Sequence, residues 1–424
     1  MNKEKTTYKI ASNTAYQIIG KLATMYITIL ATILITRFYR REAYGELSLM
    51  QGWPALVFII VDFGLNAIAT RELSKDFSKA NKYIGNILIL RLLISLFFII
   101  SLGIALAFFP YSESLRLGIR LCLLLILTQS LFTTTNIVFQ TKLRYDLSTI
   151  SLVSGYMVIL GAILAFSYFK LSVVWVSFSY VLGGIVTFLI ALRFLATLGV
   201  KPEFKIDKDI IKNLLWQTLP IGIMFIFSQL NFKEDEILLS VMKLPTKFGL
   251  NNTESVAVYA LPYKIFEVAL VVPTFFMNAV YPVMVRHMTE SSKKLKKTFL
   301  NTMGVLVIAG IGAGLAGIVF SKLAINLLGG AEFYQSITIL KILLGGLVFY
   351  YITQPISWLI VTLGKQKYLP YVYLIAAVFN LAMNLVFIPK YSFYAAAVVT
   401  HTSEVLILIM LLFAAKKAWK LHYA

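Results

Sequence analysis

Seven ionisable residues fall inside long apolar stretches: the cations Lys21, Arg91, Lys264 and Lys341, and the carboxylates Asp62, Glu267 and Glu404. A charge near the centre of a bilayer costs about 2.5–3.5 kcal/mol on insertion scales, so each should face protein or a water-filled cavity and have a use there. Ammonium and guanidinium groups in a low-dielectric, water-lined space attract phosphate strongly. Lys21, Arg91 and Lys264 therefore read as the groups that would hold an anionic substrate. Lys21 lies roughly 16 Å from the inner end of its helix, counted at ~1.5 Å per residue, which is too deep for snorkelling. Arg91 and Lys341 are expected nearer their helix ends, where a long side chain can reach the interface. Asp62, Glu267 and Glu404 can either neutralise these cations or carry a coupling ion. Lys264 and Glu267 are three apart on one helix face and can pair locally, and His401 and Glu404 repeat that spacing. One His and one Glu do not make a metal site. The one cysteine, Cys122, sits in an apolar run, which excludes an intrachain disulfide and a thiolate metal site. No metal or other cofactor is expected. Lys233-Glu-Asp-Glu236 places four charges around a helix at ~100° steps, so it is expected at the outer end of its span, where none would face lipid.

The elements that must position these residues are membrane helices. The 424 residues are 59% hydrophobic and only 14% charged, which rules out an ordinary soluble enzyme. Windows free of Asp, Glu, Lys and Arg cover eight spans, numbered 3 to 7 and 9 to 11, beginning with Leu92 to Ser112 and ending with Tyr368 to Pro389. Four further apolar stretches interrupted by charge, about Ser12 to Thr36, Leu47 to Thr70, Ala257 to Val285 and Ser392 to Ala415, supply spans 1, 2, 8 and 12. The continuous runs lack the period-2 alternation of membrane strands. The expected fold is thus an all-α polytopic membrane protein of about twelve helices, with no room for a folded extramembrane domain.

Of the 39 Lys and Arg, 24 fall in the inner segments and 11 in the outer ones when both termini are placed in the cytoplasm, and four lie within spans. The net charge of +20 is mostly this orientation signal and its attraction to anionic membrane lipids, not a nucleic-acid surface. Lys3, Lys5 and Lys9 precede span 1 without a compact small-residue cleavage site, so a retained first helix is expected. An internal repeat aligns Tyr44 with Tyr259, Arg71 with Arg286 and Asn86 with Asn301 at an offset of 215. After an apparent extra stretch near Gly329 the offset becomes 223, placing Lys142-Leu-Arg-Tyr145 on Lys365-Gln-Lys-Tyr368. Two pseudo-symmetric six-helix lobes follow, 1–200 and 213–424, joined by a cytoplasmic linker, 201–212. Phe38, Tyr39, Tyr44, Tyr259, Tyr263 and Phe266 interleave with the charges and read either as sugar-stacking faces or as an interfacial aromatic belt.

Motifs along the chain resemble the polysaccharide or O-antigen flippases of the multidrug, oligosaccharidyl-lipid and polysaccharide exporter superfamily. They are Arg37-Phe-Tyr-Arg-Arg-Glu-Ala-Tyr-Gly45, Asp62-Phe-Gly-Leu-Asn66 followed by Arg71-Glu72, Asp235-Glu-Ile-Leu-Leu239, Val258-Tyr-Ala260, Tyr281-Pro282, Leu327-Leu-Gly-Gly-Ala-Glu-Phe-Tyr334, and Ile388-Pro-Lys-Tyr-Ser-Phe-Tyr-Ala-Ala-Ala397 with Glu404. The resemblance implies a two-lobed cavity, lined by spans 1, 2, 7 and 8, that opens to either side of the cytoplasmic membrane. It moves a polyprenyl-diphosphate-linked oligosaccharide by alternating access, and other glycan-assembly membrane proteins are candidate partners. No enzymatic activity is expected. The alternatives are an ion-coupled drug or metabolite exporter of the same superfamily, and a membrane glycosyltransferase or polymerase. The second needs an extramembrane loop to assemble catalytic groups, whereas the largest outer connection is about Met242 to Val256. With no phosphate-binding loop ending in Gly-Lys-Ser or Gly-Lys-Thr, transport should draw on a proton or sodium gradient.

Overall fold

The computed structural model describes residues 3–423, and every regular element there is helical. The α-helices are α1 Lys3–Asp62, α2 Leu65–Lys75, α3 Ala80–Ala105, α4 Glu113–Cys122, α5 Leu124–Lys142, α6 Tyr145–Tyr168, α7 Val173–Thr197, α8 Lys208–Val241, α9 Asn252–Glu290, α10 Ser292–Leu328, α11 Tyr334–Gly345, α12 Leu347–Thr362, α13 Leu369–Tyr391 and α14 Phe393–Tyr423. Ten segments are long and apolar enough to cross a bilayer, and the bent pair Lys208–Leu219 and Gly222–Asn231 of α8 makes an eleventh. The first segment, Ala15–Lys75, runs 61 residues, twice the ~20 that one crossing needs. It is broken at Arg40, whose φ of 66° and ψ of −174° are non-helical, so it supplies two spans and the total is twelve. Lys3, Lys5 and Lys9 carry their side chains outside the described part.

The repeat is visible in backbone hydrogen bonds. Asp76 N–H donates to the Glu72 carbonyl and Ser291 N–H to the His287 carbonyl, an offset of 215, and both residues then cap the next helix. At Asp76 the Ser78 hydroxyl, 2.6 Å away, and Lys79 hold the carboxyl below its usual range. At Leu123 and Gly346, offset 223, spans 4 and 10 break into α4/α5 and α11/α12. There Leu123 N–H bonds Ile119 and Ile126 N–H bonds Leu123, matched by Gly346 to Ile342 and Phe349 to Gly346. The extra stretch before Gly329 lies in the helix itself: α10 has 37 residues against 26 in α3. In the following turn the left-handed residues are Leu143 and Gly364, so the register there is 221 and not the 223 read from side chains.

Two compact units are resolved, Met1–Ile226 and Phe227–Ala424. In the first, α6 meets α7 with backbone against backbone: a Cβ on Gly183 would lie 2.6 Å from the Gly155 carbonyl oxygen. Small residues permit such close approach where no hydrophobic driving force exists between helices in lipid. In the second, Gly314 on α10 fits against the Leu344 carbonyl in the same way.

The boundary falls inside α8, beyond the 201–212 segment read from the sequence as the linker. The reason is a strap. Lys201 N–H bonds the Asn81 side chain, Glu203 N–H bonds the Asn81 carbonyl, and Asp207 N–H bonds the Asn86 side chain. Between these asparagines Gly85 leaves room for the strap's main chain; a Cβ there would lie 2.6 Å from the Glu203 carbonyl carbon. Asp207 accepts from Asp209 and Ile210 N–H groups to start α8, and Ile210 and Leu214 join the α2/α3 core. Gly85→Val is expected to lift the strap, read as faster proteolysis within 201–207 than in the parent protein.

Candidate functional site

Each unit holds one buried polar cluster. In the first, α3 starts at Ala80, twelve residues earlier than the apolar window suggested, because the charged stretch before it is the end of α2 and a short turn. Arg91 is therefore the twelfth residue of a 26-residue helix and has no exposed surface. The snorkelling expected of it does not occur. Its guanidinium pairs with Asp62 at 2.6 Å and donates to Asn66 at 3.1 Å, Thr133 at 3.0 Å, Thr134 at 2.8 Å and the Ser130 carbonyl at 3.2 Å. Asp62 ends α1, and the chain turns through left-handed Phe63 and Gly64 before α2 starts. Arg91 thus ties the break in span 2 to α5, with each of these partners inside the first unit.

Lys21 is exposed on α1, one position past Gly20, which packs against Thr149. Beyond it Thr24, Thr28, Thr32 and Thr36 recur every fourth residue, and each hydroxyl donates to a carbonyl one turn back. This hydroxyl stripe is satisfied by its own helix and so can lie in the membrane without partners elsewhere.

In the second unit the charges redistribute. Glu267 accepts from Lys233 on α8 at 2.5 Å, not from Lys264 as the i,i+3 spacing suggested. Among the described residues Lys264 has no ion pair within 4.0 Å, though it lies within electrostatic reach of Glu267, Glu236 and Lys233. The four charges at 233–236 sit more than one turn inside α8 instead of at its end. Of these, Lys233 reaches Glu267, and Asp235, 1% exposed, turns into the unit's interior. There Asp235 accepts from the Tyr259 hydroxyl, from Thr400 at 3.1 Å and from Asn384 at 2.6 Å. Asn384 also donates to Asn380 at 2.6 Å, and Asn380 to Ser403 at 3.1 Å. One turn along α14 from Thr400, buried Glu404 accepts from the Thr353 hydroxyl. His401, instead of joining Glu404, bonds the Ile342 carbonyl at 2.8 Å.

Asp235 and Glu404 are two buried carboxylates with no ion pair among the described residues, held by hydroxyl donors and, at Asp235, by an amide N–H. Such a group can take up a proton. Sequence reading missed Asp235 because it sat among three other charges. The usable signal was Asn380 and Asn384, two amides one turn apart in an apolar span. The aromatic residues beside it are neither sugar platforms nor a belt: Tyr259, Tyr263 and Phe266 are buried and packed in series, with ring centroids 5.3 and 5.8 Å apart.

Among the described residues, twelve candidate spans in two repeated sets, each with charged groups inside the span region, make a multi-span membrane protein. A family model described as "Polysaccharide biosynthesis protein" matches residues 10–288, and the MatE model matches residues 247–386. The chain belongs to the polysaccharide biosynthesis protein family. Against curated proteins the sequence finds no match. Among solved structures it is similar to a multidrug resistance MATE family transporter of the MOP superfamily in its inward-facing conformation, at TM-score 0.78 and 15% identity over 94% of this chain and 95% of that one. The lipid II flippase MurJ in an inward closed conformation gives 0.75 at 15% identity, over 94% and 87%. A MOP superfamily transporter from Pyrococcus furiosus, described as having a binding pocket of reverse polarity, gives 0.66 at 16% identity, over 98% and 94%. At these identities the likeness is one of fold.

Proposed function

We propose that the protein flips a polyprenyl-diphosphate-linked oligosaccharide, a precursor of O-antigen, capsule, teichoic acid or a similar surface glycan, across the cytoplasmic membrane by alternating access, with both termini in the cytoplasm. Family membership over residues 10–288 gives the glycan direction, and the lipid II flippase shows that this fold can serve a lipid-linked cargo. The observation that carries the reading is the charge balance. Arg91 and Lys233 are neutralised by Asp62 and Glu267, while Lys21 and Lys264 have no ion pair among the described residues. Two ammonium groups outside any such ion pair, one in each unit, suit a diphosphate better than a cationic drug. Asp235 and Glu404 take the coupling role that sequence reading divided among Asp62, Glu267 and Glu404.

Reconstitution with fluorescent polyprenyl-diphosphate oligosaccharides, following the headgroup between leaflets, tests this directly. Ammonium groups grip the diphosphate whatever sugar follows, so Lys264→Gln is expected to slow several such lipids alike by about tenfold, the equivalent of ~1.4 kcal/mol. Lys21→Ala should impair movement more than Lys21→Arg. Efflux of cationic drugs with no headgroup movement would instead establish the exporter alternative.

A further inference from the structure

Two clefts run along either side of α14 on the surface of the second unit. One, of about 330 Å³, is bounded by Ile342 and Phe349 of α11 and α12 and by Val405. The other, of about 390 Å³, is bounded by Met383, Phe387 and Tyr391 of α13 and by Tyr394. Val398 and Thr402 line both and form the ridge between them. The walls are carbon: the Thr402 hydroxyl turns back to the Val399 carbonyl at 3.0 Å, and the His401 Nε2 faces the Ile342 carbonyl at 2.8 Å. A glycan would find no polar partner in either cleft.

A lysine stands next to each cleft, one beside a lining residue in the chain and one over a lining ring. Lys341, which no function described so far has used, is exposed on α11 immediately before Ile342 and has no ion pair or hydrogen bond among the described residues. It lies seven residues from the start of α11, roughly 10 Å, and its stem can carry the ammonium toward that end. On the other side the Lys247 ammonium lies 5.2 Å from the Tyr391 ring centroid and 5.0 Å from that of Phe248, and Lys390 is exposed beside Tyr391. All three cations belong to the side of the membrane on which α14 begins.

We propose that the paired clefts are a binding site for one anionic diacyl phospholipid of that leaflet, its phosphate drawn by Lys341 and Lys247 and its two chains seated on either side of the Val398–Thr402 ridge. Charge fixes the sign of the headgroup, and the doubled cleft fixes the number of chains; a single prenyl chain would fill one side only. The site is independent of the glycan cargo.

The test uses the full chain, purified in detergent and offered phosphatidylglycerol or phosphatidylcholine of identical acyl chains, with retention read by native mass spectrometry. One phosphatidylglycerol per protein is expected to be retained about tenfold more strongly than phosphatidylcholine. Lys341→Gln with Lys247→Gln should bring that ratio to about one. Thr402→Trp, at an exposed position, should lower retention of both lipids and leave the ratio intact; an unchanged melting temperature separates either result from misfolding. Equal retention of the two lipids by the parent protein, or no response to either variant, overturns the proposal. So does displacement of phosphatidylglycerol by an equimolar polyprenyl phosphate, which would assign the clefts to a single isoprenoid chain.

Discussion

Asp235→Asn is expected to abolish the gradient-driven part of transport, a fall of about tenfold or more, while leaving the protein folded. The carboxylate takes hydrogen bonds from Tyr259, Thr400 and Asn384 inside the second unit. An asparagine can keep its carbonyl oxygen toward Tyr259 and Thr400. Its amide would then meet Asn384, whose Oδ1 is buried and unpartnered and can turn toward it if Asn380 turns as well. The hydrogen bonds can therefore be rebuilt, but the negative charge cannot. Asp235→Ala differs, because it leaves one Asn384 N–H without an acceptor in the interior at ~1–3 kcal/mol, while Tyr259 can turn to Thr400 and Thr400 to the Ala396 carbonyl, and should lower stability as well. The measurement is headgroup movement in vesicles with and without an imposed proton or sodium gradient. If the Asn variant still accelerates when a gradient is applied, the coupling role assigned to Asp235 is wrong. Glu404→Gln is the parallel test for the second carboxylate.

Arg91→Met is expected to be the most destabilising single substitution in the first unit. It removes the cation from Asp62 and leaves that carboxylate in the membrane region without its charge partner, and it strips the Thr133, Thr134 and Ser130 groups of a donor. Breaking a buried pair by deleting one member costs about 3–5 kcal/mol, because the surviving charge is uncompensated. Adding Asp62→Asn should restore much of the loss, so the double variant should melt above Arg91→Met alone. If the two losses simply add, Arg91 acts through the threonines of α5 and not through Asp62.

The spans were legible because lipid demands long apolar runs, and the repeat survived because helix caps and breaks are enforced by the backbone. Asp76 and Ser291 do one job with different side chains, and so do Leu123 and Gly346. Asn86 and Asn301 show the converse: identical in type, they differ in use, since Asn86 is buried under the strap and Asn301 is exposed. Helix ends were less legible. Charged residues of the Arg71–Lys82 stretch lie partly within α2 and α3, which hid the depth of Arg91. Pairing was least legible, because i,i+3 spacing names a possible partner but not a better one from another helix, and Lys233 outcompeted Lys264 for Glu267. A carboxylate whose partners come from three other helices, as at Asp235, leaves almost no local trace.

The strap across Gly85 also bears on how the chain is made. As the polypeptide emerges, the sixth span ends near Thr197, yet Asn81 and Asn86 still lack the main-chain donors that only residues 201–207 bring. The first unit is complete only when Ile226 has been synthesised. A nascent chain halted at residue 200 thus presents an unfinished surface where the strap will lie, open to holdase chaperones and proteases. Extending the arrested chain to residue 226 would close it, before any of the second unit exists.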